Sequence, residues 1–171
     1  MILVCYDGSP DAQTAIDYAA QLMPSAKATV LTVWRPFSDA SSYSGSTVIG
    51  VGMGAYADHP AIDAASEQSA SEKAADGAQR AATAGLVAEP RVAGSLGGVA
   101  RTILDVAADV NADAVVLGTR GRSGVKSFLL GSVSHEVVQH ADRPVLIVPS
   151  SRLSEQRRGW ACHADATLDA A

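Results

Sequence analysis

Glycine and serine residues between positions 118 and 134 have a spacing that suits the binding of phosphate groups. Gly118 is followed by Gly121 after two residues, and by Gly131-Ser132 after nine more. Glycines let backbone amides approach a ligand closely. The first amides of a helix that begins after Gly131 have no partner inside the helix, and with the helix dipole they form an anion site. The hydroxyls of Ser132 and Ser134 would add hydrogen-bond donors.

The same segment is positively charged in a chain that is acidic overall. It carries Arg120, Arg122 and Lys126 without any acidic residue, whereas 13 Lys and Arg against 18 Asp and Glu give the chain a net charge of −5. An acidic chain argues against nucleic acid or an anionic membrane as a partner. Two interpretations of the segment stay open, because a glycine-rich loop of this kind is either a phosphate site or a plain connection with solvated charges and a helix cap at Ser132.

Strand patterns and helix patterns alternate along the chain, which predicts an α/β fold with a parallel sheet and helices on both faces. In open sheets of this kind, ligands bind beyond the carboxyl ends of the strands. This places a site just after Tyr6, Val33 and Leu117. Short apolar or β-branched runs predict strands at residues 2–6, 28–34, 87–92, 113–117 and 145–148. Helical spacing and capping residues predict helices after Ser9, over 61–84, after Gly97-Gly98 and over 132–140.

The 171 residues suit one domain with an addition at the end. We predict an α/β domain over residues 1–149, interrupted by a mobile Gly/Ser-rich loop at 37–60, and a C-terminal tail at 150–171. Hydrophobic residues make up 47% of the chain but aromatic ones only 5%, so the core must consist of Val, Ile, Leu and Ala.

Several functional classes are disfavoured by what the chain does not carry. No apolar run approaches the ~20 residues of a membrane span, and the start at Met1 lacks the pattern of a signal peptide. The two cysteines, Cys5 and Cys162, do not form a disulfide framework. These features predict a cytoplasmic protein. The four histidines are too scattered for a metal site.

Three motifs, in order along the chain, resemble the universal stress protein family. Gly118-x2-Gly121-x9-Gly131-Ser132 is similar to the family's ATP-binding signature. Residues 2–9 resemble its opening strand and turn, and residues 143–148 resemble its final strand. The resemblance implies an open, Rossmann-like sheet of five parallel strands. It also implies the subclass that binds ATP, since a sister subclass lacks the glycines. The expected cofactor is ATP, with or without Mg2+.

The resemblance also implies a role for individual residues. Asp7 would face the ribose hydroxyls, because a carboxylate accepts two hydrogen bonds; the alternative is an Asx-type turn into Gly8-Ser9. Val33 would mark where main-chain groups hold adenine, or would be a core valine. Thr119 and Arg120 fall in the variable spacer, to which no role is carried over. The phosphates would be lined by the signature residues Gly118, Gly121, Gly131 and Ser132, with Val133 and Ser134 supplying donors.

Three functions remain open at this point. The first is a regulatory protein of the stress response that binds ATP or another adenine nucleotide. The second is an enzyme, either a slow ATPase or a nucleotidyl transferase. Efficient catalysis is disfavoured because residues 118–134 contain no carboxylate to hold a metal or orient water, and no catalytic residue is predicted. The third is an interaction module, for which the family resemblance implies a homodimer through the apolar strand Val145–Val148.

Overall fold

The computed structural model describes residues 1–36, 59–95, 97–119, 121, 130–150, 154–155 and 158. Three predicted features therefore lie outside the described residues: most of the 37–60 loop, most of the 150–171 tail, and the basic residues Arg120, Arg122 and Lys126. The division of the chain at residue 149 stays a prediction.

Five parallel strands form one sheet, and the order across it is β3-β2-β1-β4-β5. This confirms the predicted α/β class and the five-stranded parallel sheet. Because β1 lies between β2 and β4, the chain reverses its direction of progress across the sheet at β1, and a ligand crevice is expected there. The strands are β1 (Ile2–Cys5), β2 (Lys27–Trp34), β3 (Val87–Gly94), β4 (Ala114–Gly118) and β5 (Val145–Val148). The helices among the described residues are α1 (Pro10–Leu22), α2 (His59–Thr83), α3 (Val99–Asp109) and α4 (Ser132–His140).

Helices cover both faces of the sheet, so the core is divided into two layers. Side chains of α1 and α2 pack with alternate strand residues on one face, and those of α3 and α4 pack on the other. Neighbouring residues of β4 show the alternation, since Val116 belongs to the first cluster and Val115 to the second. Among the buried hydrophobic side chains described, Tyr6 is the one aromatic. The predicted aliphatic and alanine-rich core is thus present.

The helix boundaries follow local capping signals closely. Ser9 caps α1 as predicted, because its Oγ accepts a hydrogen bond from the Ala12 amide at 3.2 Å, and Pro10 follows in the first turn. Helix α2 begins at His59 rather than at residue 61. The physical reason is that Pro60 suits a first helical turn, where its missing N–H group would have no partner in any case.

Strand β3 lies at one edge of the sheet. It contains Pro90 and, among the described strands, pairs with β2 alone, which confirms the predicted edge position. It runs on to Gly94, two residues past the predicted end, because the pairing with β2 continues through Trp34. In the described part of the chain, no helix is long and apolar enough to cross a membrane.

Candidate functional site

A cavity of about 650 Å3 opens at the carboxyl edge of the sheet, where β1, β2 and β4 end and α4 begins. Its volume lies within the roughly 300–1,000 Å3 of small-molecule sites. The fold brings all eight residues that the sequence singled out to the wall of this one cavity. They are Asp7, Val33, Gly118, Gly121, Gly131, Ser132, Val133 and Ser134.

Asp7 joins the first strand to the first helix and also lines the cavity. Its Oδ1 accepts a hydrogen bond from the Ser9 amide at 2.9 Å, which is the Asx-type turn considered above. Gly8 between them has φ +82, a conformation that favours glycine. The turn therefore orients the carboxylate at the cavity edge, and the ligand-facing role of Asp7 stays a prediction.

Tyr6, which joins β1 to Asp7, is held by three hydrogen bonds. The Tyr6 amide donates to the Leu31 carbonyl at 2.8 Å, and Thr32 Oγ1 donates to the Tyr6 carbonyl at 2.8 Å. The Tyr6 hydroxyl donates to Asp76 Oδ2 at 2.6 Å, so the ring is tied to α2. Burial first, and then this bond to Asp76, raise the pKa of Tyr6. The position of Asp7 thus depends on both β2 and α2.

The second glycine of the motif lies against Asp7. A Cβ built on Gly121 would lie 2.7 Å from Asp7 Oδ2, closer than real Cβ atoms come to another heavy atom. The loop after β4 and the end of β1 therefore meet directly across the cavity. A side chain at position 121 would therefore displace the Asp7 carboxylate from its place at the cavity edge.

The first glycine of the motif is required for packing. A Cβ built on Gly118 would lie 2.7 Å from the carbonyl carbon of Asp11 and 3.0 Å from the Ala12 amide nitrogen. Both atoms belong to the first turn of α1, which lies directly on the end of β4. Gly118 lines the cavity, but the close approach of α1 is the reason that no side chain fits there.

Helix α4 turns its N-terminus to the cavity. Gly131 is the N-cap and has no side chain to bond the first amides, which have no intrahelical partner by helix geometry. The Ser134 hydroxyl is buried and donates to the Gly118 carbonyl at 2.9 Å, with the Thr119 carbonyl at 3.2 Å. This hydroxyl therefore ties the helix to the end of β4.

Aliphatic side chains form much of the remaining wall. They come from the strands and from the N-terminal parts of α3 and α4, and they offer an apolar surface for a flat ring. These are Leu31, Val33, Val99, Ile103, Leu117 and Val133. Val33 also packs against the core cluster under α3 and α4, so it serves the core and the cavity together.

Sequence reasoning missed two polar groups of this wall. Arg35 lines the cavity and also a neighbouring one of about 590 Å3, which shares Asp7 and Val33. Its position one residue beyond β2 was the available signal, since ligands lie past strand ends. Cys5 also lines the cavity, but burial, with a smaller contribution from the Asp7 charge, raises its pKa to about 12. The thiol is therefore protonated at neutral pH and is a poor nucleophile.

Comparison with known proteins gives the same family along most of the chain. A sequence model of the universal stress protein family matches residues 1–149. Universal stress protein YxiE of Bacillus subtilis is 41% identical over 81 residues, which cover 47% of this chain and 49% of that protein. The chain thus spans about half the length of this curated relative.

Solved structures share the fold. Protein MJ0577 of Methanocaldococcus jannaschii superposes with a TM-score of 0.68 at 19% identity, over 86% of this chain and 94% of that one. A universal stress protein solved in complex with cAMP superposes with a TM-score of 0.57 at 26% identity, over 88% of this chain and 97% of that one. With the family match over residues 1–149, the chain belongs to the universal stress protein family.

Proposed function

We propose that this chain binds ATP, or a closely related adenine nucleotide, in the cavity at the carboxyl edge of the sheet. Binding would make it a nucleotide-dependent regulatory protein of the stress response. The observation that carries the proposal is the meeting of Asp7, the glycine motif and the start of α4 around one cavity of about 650 Å3. The relative solved with cAMP supports an adenine nucleotide as the ligand class.

Each part of the nucleotide has a matching part of the cavity. The aliphatic wall around Val33 suits the adenine ring. The Asp7 carboxylate suits the ribose diol, because each hydroxyl of the diol donates to a carboxylate oxygen. The phosphates suit the start of α4, where the amides after Gly131 point outward and the helix dipole favours negative charge.

The charges of the cavity favour binding over hydrolysis. Among the described lining residues, Arg35 is the one Lys or Arg side chain and Asp7 the one carboxylate. In the described part of the chain, no group of three or more metal-ligating side chains is close enough to hold an ion. A Mg2+ ion would therefore be carried in chiefly by the phosphates of ATP.

Calorimetric titration of the purified chain with ATP and Mg2+ tests the proposal. We expect saturable binding of one nucleotide per chain. A Gly131→Trp variant, which fills the cavity at the start of α4, should lose at least about tenfold in affinity. Leu130→Trp is the matched control, because Leu130 is exposed and does not line the cavity. The absence of saturable binding at millimolar ATP, or equal affinity in both variants, contradicts the proposal.

We also propose that two chains associate through β5. Within the described ranges of the chain, this strand pairs with β4 on one side and with no strand on the other. Val145, Leu146 and Ile147 are each partly exposed. An apolar edge strand presents backbone groups that a second chain can pair with. Light scattering over a dilution series should give twice the mass of the single chain at high concentration, and a monomer throughout that series contradicts this association.

A further inference from the structure

Thr119 connects the two halves of the glycine motif. It lies between Gly118 and Gly121, and its carbonyl accepts the Gly131 amide at 2.9 Å. Its own amide donates to the Val148 carbonyl at 2.9 Å. The main chain of Thr119 is therefore bonded to the end of β5 and to the cap of α4, and its backbone position is closely determined.

The part of the chain that the structure describes offers the Thr119 side chain no such partner. The residue is fully buried, at 0% exposure, and among the described residues its Oγ1 is the buried side-chain polar atom without any hydrogen bond. A buried hydroxyl without a partner destabilises a fold, and such groups are rare in native proteins. Valine has nearly the same shape and would fill this space without that penalty. The packing of the described residues thus gives no reason for a hydroxyl here.

The surroundings of the hydroxyl point to a phosphate as the missing acceptor. The residues on either side of Thr119 in the motif, Gly118 and Gly121, line the cavity, and so does Gly131, which is bonded to its carbonyl. Thr119 itself is fully buried and is not among the lining residues, so a contact of its hydroxyl with a ligand would pass through a bridging water. Such bridges are nearly as favourable as direct hydrogen bonds.

We propose that Thr119 is a positioning residue for the phosphate chain, and that its hydroxyl gains a hydrogen-bond acceptor only when a phosphate-bearing nucleotide occupies the cavity. The inference rests on the proposed function. In the empty site the unpaired hydroxyl raises the free energy of the protein. In the occupied site it donates through an ordered water to a phosphate oxygen, so its pairing adds to the affinity for the nucleotide.

Two variants with opposite defects test this role. Thr119→Val keeps the shape and loses the hydroxyl, so we expect equal or higher thermal stability without ligand but about tenfold weaker ATP binding. Thr119→Ser keeps the hydroxyl and loses the methyl group, so we expect its thermal stability to fall. Its ATP affinity should stay within about twofold of that of the unchanged protein. Adenosine, which lacks phosphates, should bind both variants as it binds the unchanged protein.

The outcomes separate this inference from the function on which it rests. If the unchanged protein shows no saturable ATP binding, the proposed function fails and the role of Thr119 fails with it. If the unchanged protein binds ATP and Thr119→Val binds it equally well, the inference alone is overturned. It is also overturned if Thr119→Val loses ATP and adenosine affinity in parallel, or if Thr119→Ser loses as much ATP affinity as Thr119→Val, since packing would then explain the effect.

Discussion

The contact between Gly121 and Asp7 predicts that a methyl group at position 121 weakens nucleotide binding through the carboxylate. In a Gly121→Ala variant the new Cβ would lie 2.7 Å from Asp7 Oδ2, so the carboxylate must rotate away. Gly121 is exposed, and among the described residues the only close contact of the new Cβ is with the end of a side chain that can rotate, so alanine fits once the carboxylate moves. The variant should therefore fold, with the Asp7 side chain displaced from its place at the cavity edge.

The size of the effect follows from the bonds that the displaced carboxylate would lose. A hydrogen bond to a charged group contributes about 1.5–3 kcal/mol. At about 1.4 kcal/mol per tenfold change, the loss of one such bond to the ribose lowers the affinity for ATP by roughly 10- to 100-fold. The Asp7–Ser9 bond of 2.9 Å is disturbed as well, which should lower the free energy of unfolding by about 1 kcal/mol.

A double-mutant cycle shows whether Asp7 carries this effect. ATP affinity is measured by calorimetry for the unchanged protein, Gly121→Ala, Asp7→Ala and the double variant. Because Asp7→Ala removes the carboxylate, adding Gly121→Ala to it should change the affinity by less than about threefold. If the full penalty of Gly121→Ala persists without the carboxylate, the methyl group blocks the nucleotide itself, and the reasoning from the Asp7 contact is refuted.

Three further predictions concern packing and the buried thiol. Gly77→Ala should lower the free energy of unfolding by about 1–3 kcal/mol, because its Cβ would lie 2.6 Å from the Tyr6 ring. Alanine favours helices by itself, so a variant that is more stable in chemical denaturation would contradict this packing argument. Gly118→Ala should destabilise the fold by a similar amount even without ligand, because it pushes α1 away from β4; unchanged stability would mean that α1 does not depend on this approach. In a Cys162→Ser background, Cys5 should react with a maleimide at pH 8 about a thousandfold more slowly in the folded protein than in urea. The reaction rate of the folded protein should keep rising beyond pH 10. A plateau near pH 9 would show an ordinary thiol pKa instead of one near 12.

Elements with strong local signals were predictable from the sequence. Helix α4 at Ser132–His140 and strand β5 at Val145–Val148 have the predicted bounds. The Ser9 cap with Pro10 marks the start of α1 in the sequence as it does in the structure. Each of these features depends on residues that are neighbours in the chain, so hydrophobic spacing and capping rules are sufficient to place them.

Roles that depend on contacts between distant segments were not predictable in this way. The spacing of the motif suggested glycines that let a ligand approach, but Gly118 is also needed for the packing of α1. Ser134 was expected to donate to phosphate, yet its hydroxyl bonds the carbonyl of Gly118, sixteen residues away. The orphan hydroxyl of Thr119 lies in the spacer that the motif leaves variable, and only the three-dimensional packing reveals it.

Amide resonances recorded by nuclear magnetic resonance during titration with ATP test the central claim most directly. The measurement shows both whether the nucleotide binds and where it binds on the chain. If ATP binds in the cavity, we expect saturable chemical-shift changes for the amides of the residues that line it: Asp7, Gly121 and Gly131 to Ser134. An unchanged spectrum at millimolar ATP, or shifts confined to a surface away from the carboxyl edge of the sheet, would contradict it.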